Sequence, residues 1–156
     1  LQNAGCELIV IPCNTVHVFI DRLRAICSVP ILSIIEVSAA ECNRLELSSV
    51  GLLASSTSVT QGLHTTALGR NGIQSVIPSN EEQKLIDQII IRIVTNTVQE
   101  RDVFTLNSIA ESLKFQGAEG ILLACTDLRT IVPINSSFID TTEMLEVASV
   151  REVLSQ

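Results

Sequence analysis

Two stretches of the chain repeat one design, and each ends on a cysteine. Gly5-Cys6-Glu7-Leu8-Ile9-Val10-Ile11-Pro12-Cys13 and Gly117-Ala118-Glu119-Gly120-Ile121-Leu122-Leu123-Ala124-Cys125 carry Gly, Glu, Ile and Cys at identical offsets. Between the shared residues both run apolar, as a strand buried on both faces of a parallel sheet does. Each cysteine falls at the carboxyl end of its strand, the edge at which open α/β sheets bind ligands. Small polar residues follow in both copies, Asn14-Thr15 and Thr126-Asp127. At the first turn of a following helix, the dipole and free N–H groups favour the thiolate. The expected chemistry is that of two activated thiols facing one another across a cleft. A lone cysteine usually packs as a small hydrophobe, the role expected for Cys6, Cys27 and Cys42. Packing does not require cysteine at one offset in two copies, nor polar residues straight after it, and this sets Cys13 and Cys125 apart.

Positioning such a pair requires strands and helices in alternation, and the sequence is punctuated that way throughout. Strands are expected over residues 7–12, 29–35, 49–54, 73–77, 119–124 and 137–139. A helix is expected over 14–27 and another over 37–45. Ser79 and Glu82 have capping-box spacing ahead of a stripe formed by Leu85, Ile86, Ile89, Ile90 and Ile93. Leu106, Ile109, Ala110 and Leu113 form a second stripe, which Gly117 closes, and Asp140 with Glu143 opens a last helix. The connection 95–101 carries the weakest signal. Strand–helix repeats of this kind imply an α/β architecture with a parallel sheet and right-handed crossovers.

Composition narrows the function. The chain has 156 residues, 46 % apolar and 17 % charged, and a mean hydropathy of +0.41, which excludes disorder. Its apolar runs are far shorter than the roughly 18 residues of a spanning helix, so no membrane segment is expected. Seventeen acids against ten bases give a net charge of −7, the wrong sign for binding a phosphate backbone, so no nucleic acid is expected. With four Phe and no Tyr or Trp, base stacking has little to work with. Five cysteines with no Cys-x-x-Cys and no Cys/His cluster at zinc spacing indicate neither a disulfide framework nor a metal site. The expectation is an enzyme of the reducing cytoplasm acting on a small molecule.

Ile11-Pro12-Cys13-Asn14-Thr15-Val16-His17, Pro30-Ile31-Leu32-Ser33-Ile34-Ile35-Glu36, Gly51-Leu52-Leu53-Ala54 and Ala124-Cys125-Thr126-Asp127-Leu128 together resemble the aspartate racemase branch of the aspartate/glutamate racemase family. The similarity covers nearly the whole chain. It implies two pseudosymmetric parallel-sheet α/β domains, an amino-acid substrate held in the cleft between them, a homodimer, and racemisation with no cofactor. By that match Cys13 and Cys125 are the acid/base pair, and Asn14, Thr15 and Thr126 bond a substrate carboxylate. Ser55 and Ser58 match positions where the family commonly has Thr in its anion-binding loop; a plain polar turn is the other reading. Asp127 and His17 are supporting residues, His17 lying four residues after Cys13, where it can reach the thiolate or serve as a structural histidine. His64 has no assigned role. Inverting a stereocentre by proton transfer needs a base on one face of the α-carbon and an acid on the other, so the pair makes sense on its own terms. Pyridoxal chemistry is disfavoured, because Lys84 and Lys114, the two lysines, lie on helical segments and neither follows a strand.

Three departures from the family qualify the match. The chain starts after the Gly-rich strand–turn–helix with which the family usually begins, so the first domain is expected to be incomplete. Residues 1–47 would be its remaining part, 48–135 the second domain, and 136–156 a strand and helix returning to the first. Asp127 stands where the branch usually has Glu. Some relatives carry a substrate-binding Lys near what is Val94 here, and Arg92 two residues earlier has no assigned role. The alternatives are a related enzyme of the superfamily (hydantoin racemase, decarboxylase or isomerase) and a truncated remnant without activity.

Overall fold

The computed structural model describes residues 1–132 and 138–154. Among them the strands form two parallel sheets. The smaller pairs β1 (Ile9–Val10) with β2 (Ile31–Leu32). The larger has the order β4 (Gln74–Val76), β3 (Ser49–Ala54), β5 (Gly120–Ala124), β6 (Phe138–Asp140), all parallel. The α/β class with parallel sheets is thus as expected. Of the expected strand 137–139, residue 137 lies outside the described residues, as does the boundary at 135/136. From 138 onward, β6 extends the larger sheet beside β5, and helix α7 (Thr141–Leu154) lies along α2 (Ile34–Arg44).

The apolar runs of β3 and β5 are unbroken because both faces are covered. Leu53, Ile121 and Leu123 face α5 (Asn80–Val94) and α6 (Glu100–Phe115), meeting Ile86, Ile89, Leu106 and Leu113. Val50, Leu52, Leu122 and Ala124 face the other way, onto Ala39 and Cys42 of α2 and Leu68 of α4 (Leu63–Arg70). A third cluster of Ile34, Ile35 and Leu145, with Val10 and Leu32 packed on it, joins the smaller sheet to α7. At Gly51 the helix α6 lies close against the sheet: a Cβ there would lie 2.7 Å from Ile121 Cδ1 and 3.1 Å from Leu113 Cβ.

Several boundaries differ from the expectation. The strand expected over 29–35 stops at Leu32, because Ser33 takes an extended conformation and its hydroxyl accepts from Glu36 N–H, so α2 starts at Ile34. The strand expected over 7–12 is only Ile9–Val10. The helix expected over 14–27 is divided into a 3-10 turn, Thr15–Phe19, and α1 (Ile20–Ile26), with the break at Phe19. The Ser79/Glu82 capping box is present, with both of its bonds. Leu85 leaves the expected stripe and is 41 % exposed, while Ile86 and Ile89 are fully buried. The weakly signalled 95–101 connection ends in a second capping box between Gln99 and Asp102. Gly117 has φ +103°, the left-handed position that ends a helix at little cost for glycine.

Candidate active site

Cys13 and Cys125 are both half-buried, and each follows a strand at its carboxyl end. After Cys13 a 3-10 turn, Thr15–Phe19, runs on into α1, whereas Cys125 is followed by a short 3-10 turn, Leu128–Thr130. The electrostatics at Cys125 differ from the expectation. At Cys125 burial dominates and pushes the thiol up to about 11, with the Asp127 carboxylate and Cys13 adding to the rise. The Asp127 and Leu128 N–H groups pull it back only in part. The thiolate-favouring helix end expected from sequence is therefore outweighed at this position. In its protonated form Cys125 Sγ–H donates to Asp127 Oδ2 at 3.8 Å. Thr126 lies between them, half-buried.

Around Cys13 the turn is held from two directions. Thr15 Oγ1 lies 2.9 Å from Ser55 Oγ and 3.3 Å from Ser58 Oγ, and these two are 3.3 Å from each other. Three hydroxyls from two strand-end turns thus meet at one point. Ser55 also caps α3 (Ser56–Thr60) by accepting from Ser58 N–H. Asn14, 2 % exposed, donates from Nδ2 to Thr141 Oγ1 at 3.2 Å, and Thr141 donates in turn to the Leu123 carbonyl at 2.9 Å. Because the Thr141 proton is used on Leu123, the Asn14 amide must present its nitrogen to Thr141. Asn14 Oδ1 is then left buried with no partner among the described residues.

His17 does not reach the thiolate. Its Nδ1–H donates to the Cys13 backbone carbonyl at 2.9 Å, which props the turn, and burial lowers its pKa. His64 on α4 is buried behind it, with neither ring nitrogen partnered among the described residues and a pKa pushed down to about 4, chiefly by burial. Arg92 forks onto Asp102 at 2.7 and 2.9 Å, joining α5 to α6. Two side chains went unnoticed in the sequence. Thr141 was hidden inside a helix-start pattern. Gln83, whose Nε2 donates to the Ala54 carbonyl at 2.9 Å beneath the Ser55 turn, left no signal at all. A groove of about 550 Å³ between α2 and α7 and a cavity of about 310 Å³ beside His17 are lined by neither cysteine. No helix among the described residues is long and apolar enough to cross a membrane.

Parallel strands ending in two cysteine turns define an α/β protein with both cysteines at the strand ends where such sheets bind small ligands. The chain belongs to the Asp/Glu/Hydantoin racemase family, whose model it matches over residues 1–146. It is 28 % identical over 132 residues to the broad specificity amino-acid racemase RacX of Bacillus subtilis (strain 168), a match covering 85 % of this chain and 57 % of RacX. It therefore spans little more than half the length of that relative. Its fold is similar to that of PH1733, an aspartate racemase homologue from Pyrococcus horikoshii OT3, with TM-score 0.81 and 25 % identity over 99 % of this chain and 70 % of that one. The aspartate racemase of Picrophilus torridus shares the fold, with TM-score 0.83 and 24 % identity over 97 % of this chain and 64 % of the other.

Proposed function

We propose that this chain carries the two-thiol centre of a cofactor-independent amino-acid racemase, with Cys13 and Cys125 exchanging protons with opposite faces of the substrate α-carbon. The observation that carries the reading is the double attachment of the Cys13 turn. Thr15 bonds it to the Ser55/Ser58 turn, and Asn14 bonds it through Thr141 to the strand that leads into Cys125. The electrostatic effect of Cys13 on Cys125 supports the same pairing.

Cys125, held protonated by burial, is the donor in one direction, and its contact with Asp127 orients the S–H. Cys13 as thiolate removes the α-proton from the other face, and the C–H electron pair moves into a planar, enolate-like intermediate. Cys125 then reprotonates the carbon, which leaves Cys13 as thiol and Cys125 as thiolate, the state that runs the reverse direction. Thr15, Ser55, Ser58 and Thr126 supply hydroxyls for the substrate carboxylate, whose negative charge grows in the intermediate. Asn14 Oδ1, a buried acceptor, suits the α-ammonium group, and the second Nδ2 hydrogen is left for the carboxylate. Both proton transfers come from thiols, so no cofactor is required. Five free thiols fit a reducing compartment such as the cytoplasm.

Aspartate or a related acidic amino acid is the proposed substrate, by similarity to the aspartate racemases. A broader range has its own support: Arg92 is engaged by Asp102 and does not serve a side-chain carboxylate, and RacX is named for broad specificity. The test is incubation of the protein with L-aspartate, L-glutamate and neutral L-amino acids in heavy water, following inversion and α-deuteration. Inversion that disappears in both Cys13→Ser and Cys125→Ser is the expected result. Inversion that survives in either variant overturns the two-base reading, and α-deuteration without inversion in the wild type points to a one-base relative.

A further inference from the structure

The junction of β6 and α7 reaches the Cys13 turn, β5 and the 3-10 turn after Cys125. Thr141, fully buried, has its hydroxyl in two bonds, accepting from Asn14 Nδ2 at 3.2 Å and donating to the Leu123 carbonyl at 2.9 Å. Asn14 adjoins Cys13, and Leu123 stands two residues before Cys125 on β5. One hydroxyl therefore ties one cysteine-bearing segment to the other. Its neighbour Asp140, also buried, pairs with Arg129 Nε at 3.0 Å, and Arg129 lies in the 3-10 turn four residues after Cys125. Asp140 Oδ1 meanwhile accepts from Thr142 N–H and so holds the first turn of α7. Register brings these residues together, because Asp140 lies opposite Leu123 in the β5–β6 pairing.

We propose that Thr141, assisted by the Asp140–Arg129 pair, is a positioning residue that fixes the separation of Cys13 from Cys125. The role rests on the two-thiol reading above and specifies what holds the two thiols in register. Removing the hydroxyl leaves the Asn14 amide buried without its bond and frees the Leu123 carbonyl, so the Cys13 turn loses its tether to β5. A methyl-for-hydroxyl exchange preserves the volume, which makes Thr141→Val the direct probe. Thr141→Ser retains the hydroxyl.

The experiment reads thiol separation without turnover. The full chain is treated at alkaline pH with a bis-maleimide long enough to span two thiols on opposite faces of one carbon atom, and the Cys13–Cys125 product is identified by peptide mass spectrometry. Wild type and Thr141→Ser are expected to bridge at similar rates. Thr141→Val and Arg129→Gln are expected to bridge at least about threefold more slowly, since small displacements of paired reactive groups carry large rate penalties. Wild-type bridging in a folded Thr141→Val, or in Arg129→Gln, overturns the proposal, and if Thr141→Val does not fold, Arg129→Gln decides alone. Slow bridging in Thr141→Ser overturns it as well. Absence of the bridge in the wild type is a different failure, since it removes the two-thiol reading itself.

Discussion

Cys125 shows how burial and local charge decide the character of a thiol. The nearby Asp127 and Leu128 N–H groups favour thiolate, yet desolvation and the Asp127 carboxylate prevail and the thiol stands at about 11. A group raised above its ordinary value of 9.0 is protonated throughout the neutral range, and its nucleophilic form grows only as pH rises through the shifted value. Alkylation of Cys125 by iodoacetamide, read by peptide mass spectrometry, is therefore expected to keep rising well past the pH at which an ordinary thiol levels off. Asp127→Asn removes a negative charge that opposes ionisation, so the profile should move to lower pH. A profile that does not move in the variant would mean that the carboxylate does not act on this sulfur. The repeat made Cys125 legible in the sequence. Its ionisation was not, because a motif records which groups follow a cysteine and not how much water they exclude.

At the scale of elements, the close approach of α6 to the central strand sets how flat the layer can lie. Gly51 in β3 leaves room for Leu113 of α6 and Ile121 of β5. Gly51→Ala would put a methyl group into contacts of 2.7 and 3.1 Å, a crowding expected to cost about 1–3 kcal/mol in urea denaturation. The Ile121 methyl is the far end of a buried side chain, and Leu113 Cβ is tied to the helix backbone, so α6 has to retreat. Stability equal to wild type would show that the layer is looser than these contacts imply. The elements themselves were largely readable. The 49–54 strand, the Ser79/Glu82 cap and the Leu106–Leu113 stripe follow from local pattern. The early start of α2 did not, since Ser33 and Glu36 sit inside a run that reads equally well as strand.

Over the whole molecule, the smaller sheet depends on what lies outside it. β1 and β2 pair over two residues each, and a two-stranded pair has little stability of its own. Ile34, Ile35 and Leu145 provide its support by packing against Val10 and Leu32. Leu145→Ala is expected to cost about 2–4 kcal/mol, with an uneven effect. Hydrogen exchange at Ile9 and Leu32 should quicken more than at Leu122 and Leu123, whose core clusters also include residues of α2, α4, α5 and α6. Equal acceleration everywhere would mean that the two sheets unfold as one unit.

The sequence by itself determined the alternating α/β plan, the paired cysteine turns and the family to which they point, because each is written in residues close together along the chain. Only the tertiary structure decided how those turns are joined. Asn14 and Thr141 are separated by 127 positions, and Thr15 and Ser55 by 40, so no local pattern could have paired them. It also gave Arg92 to Asp102 and His17 to a backbone carbonyl. The reason is physical: the partner of a polar side chain and the water left around a thiol depend on which segments pack together.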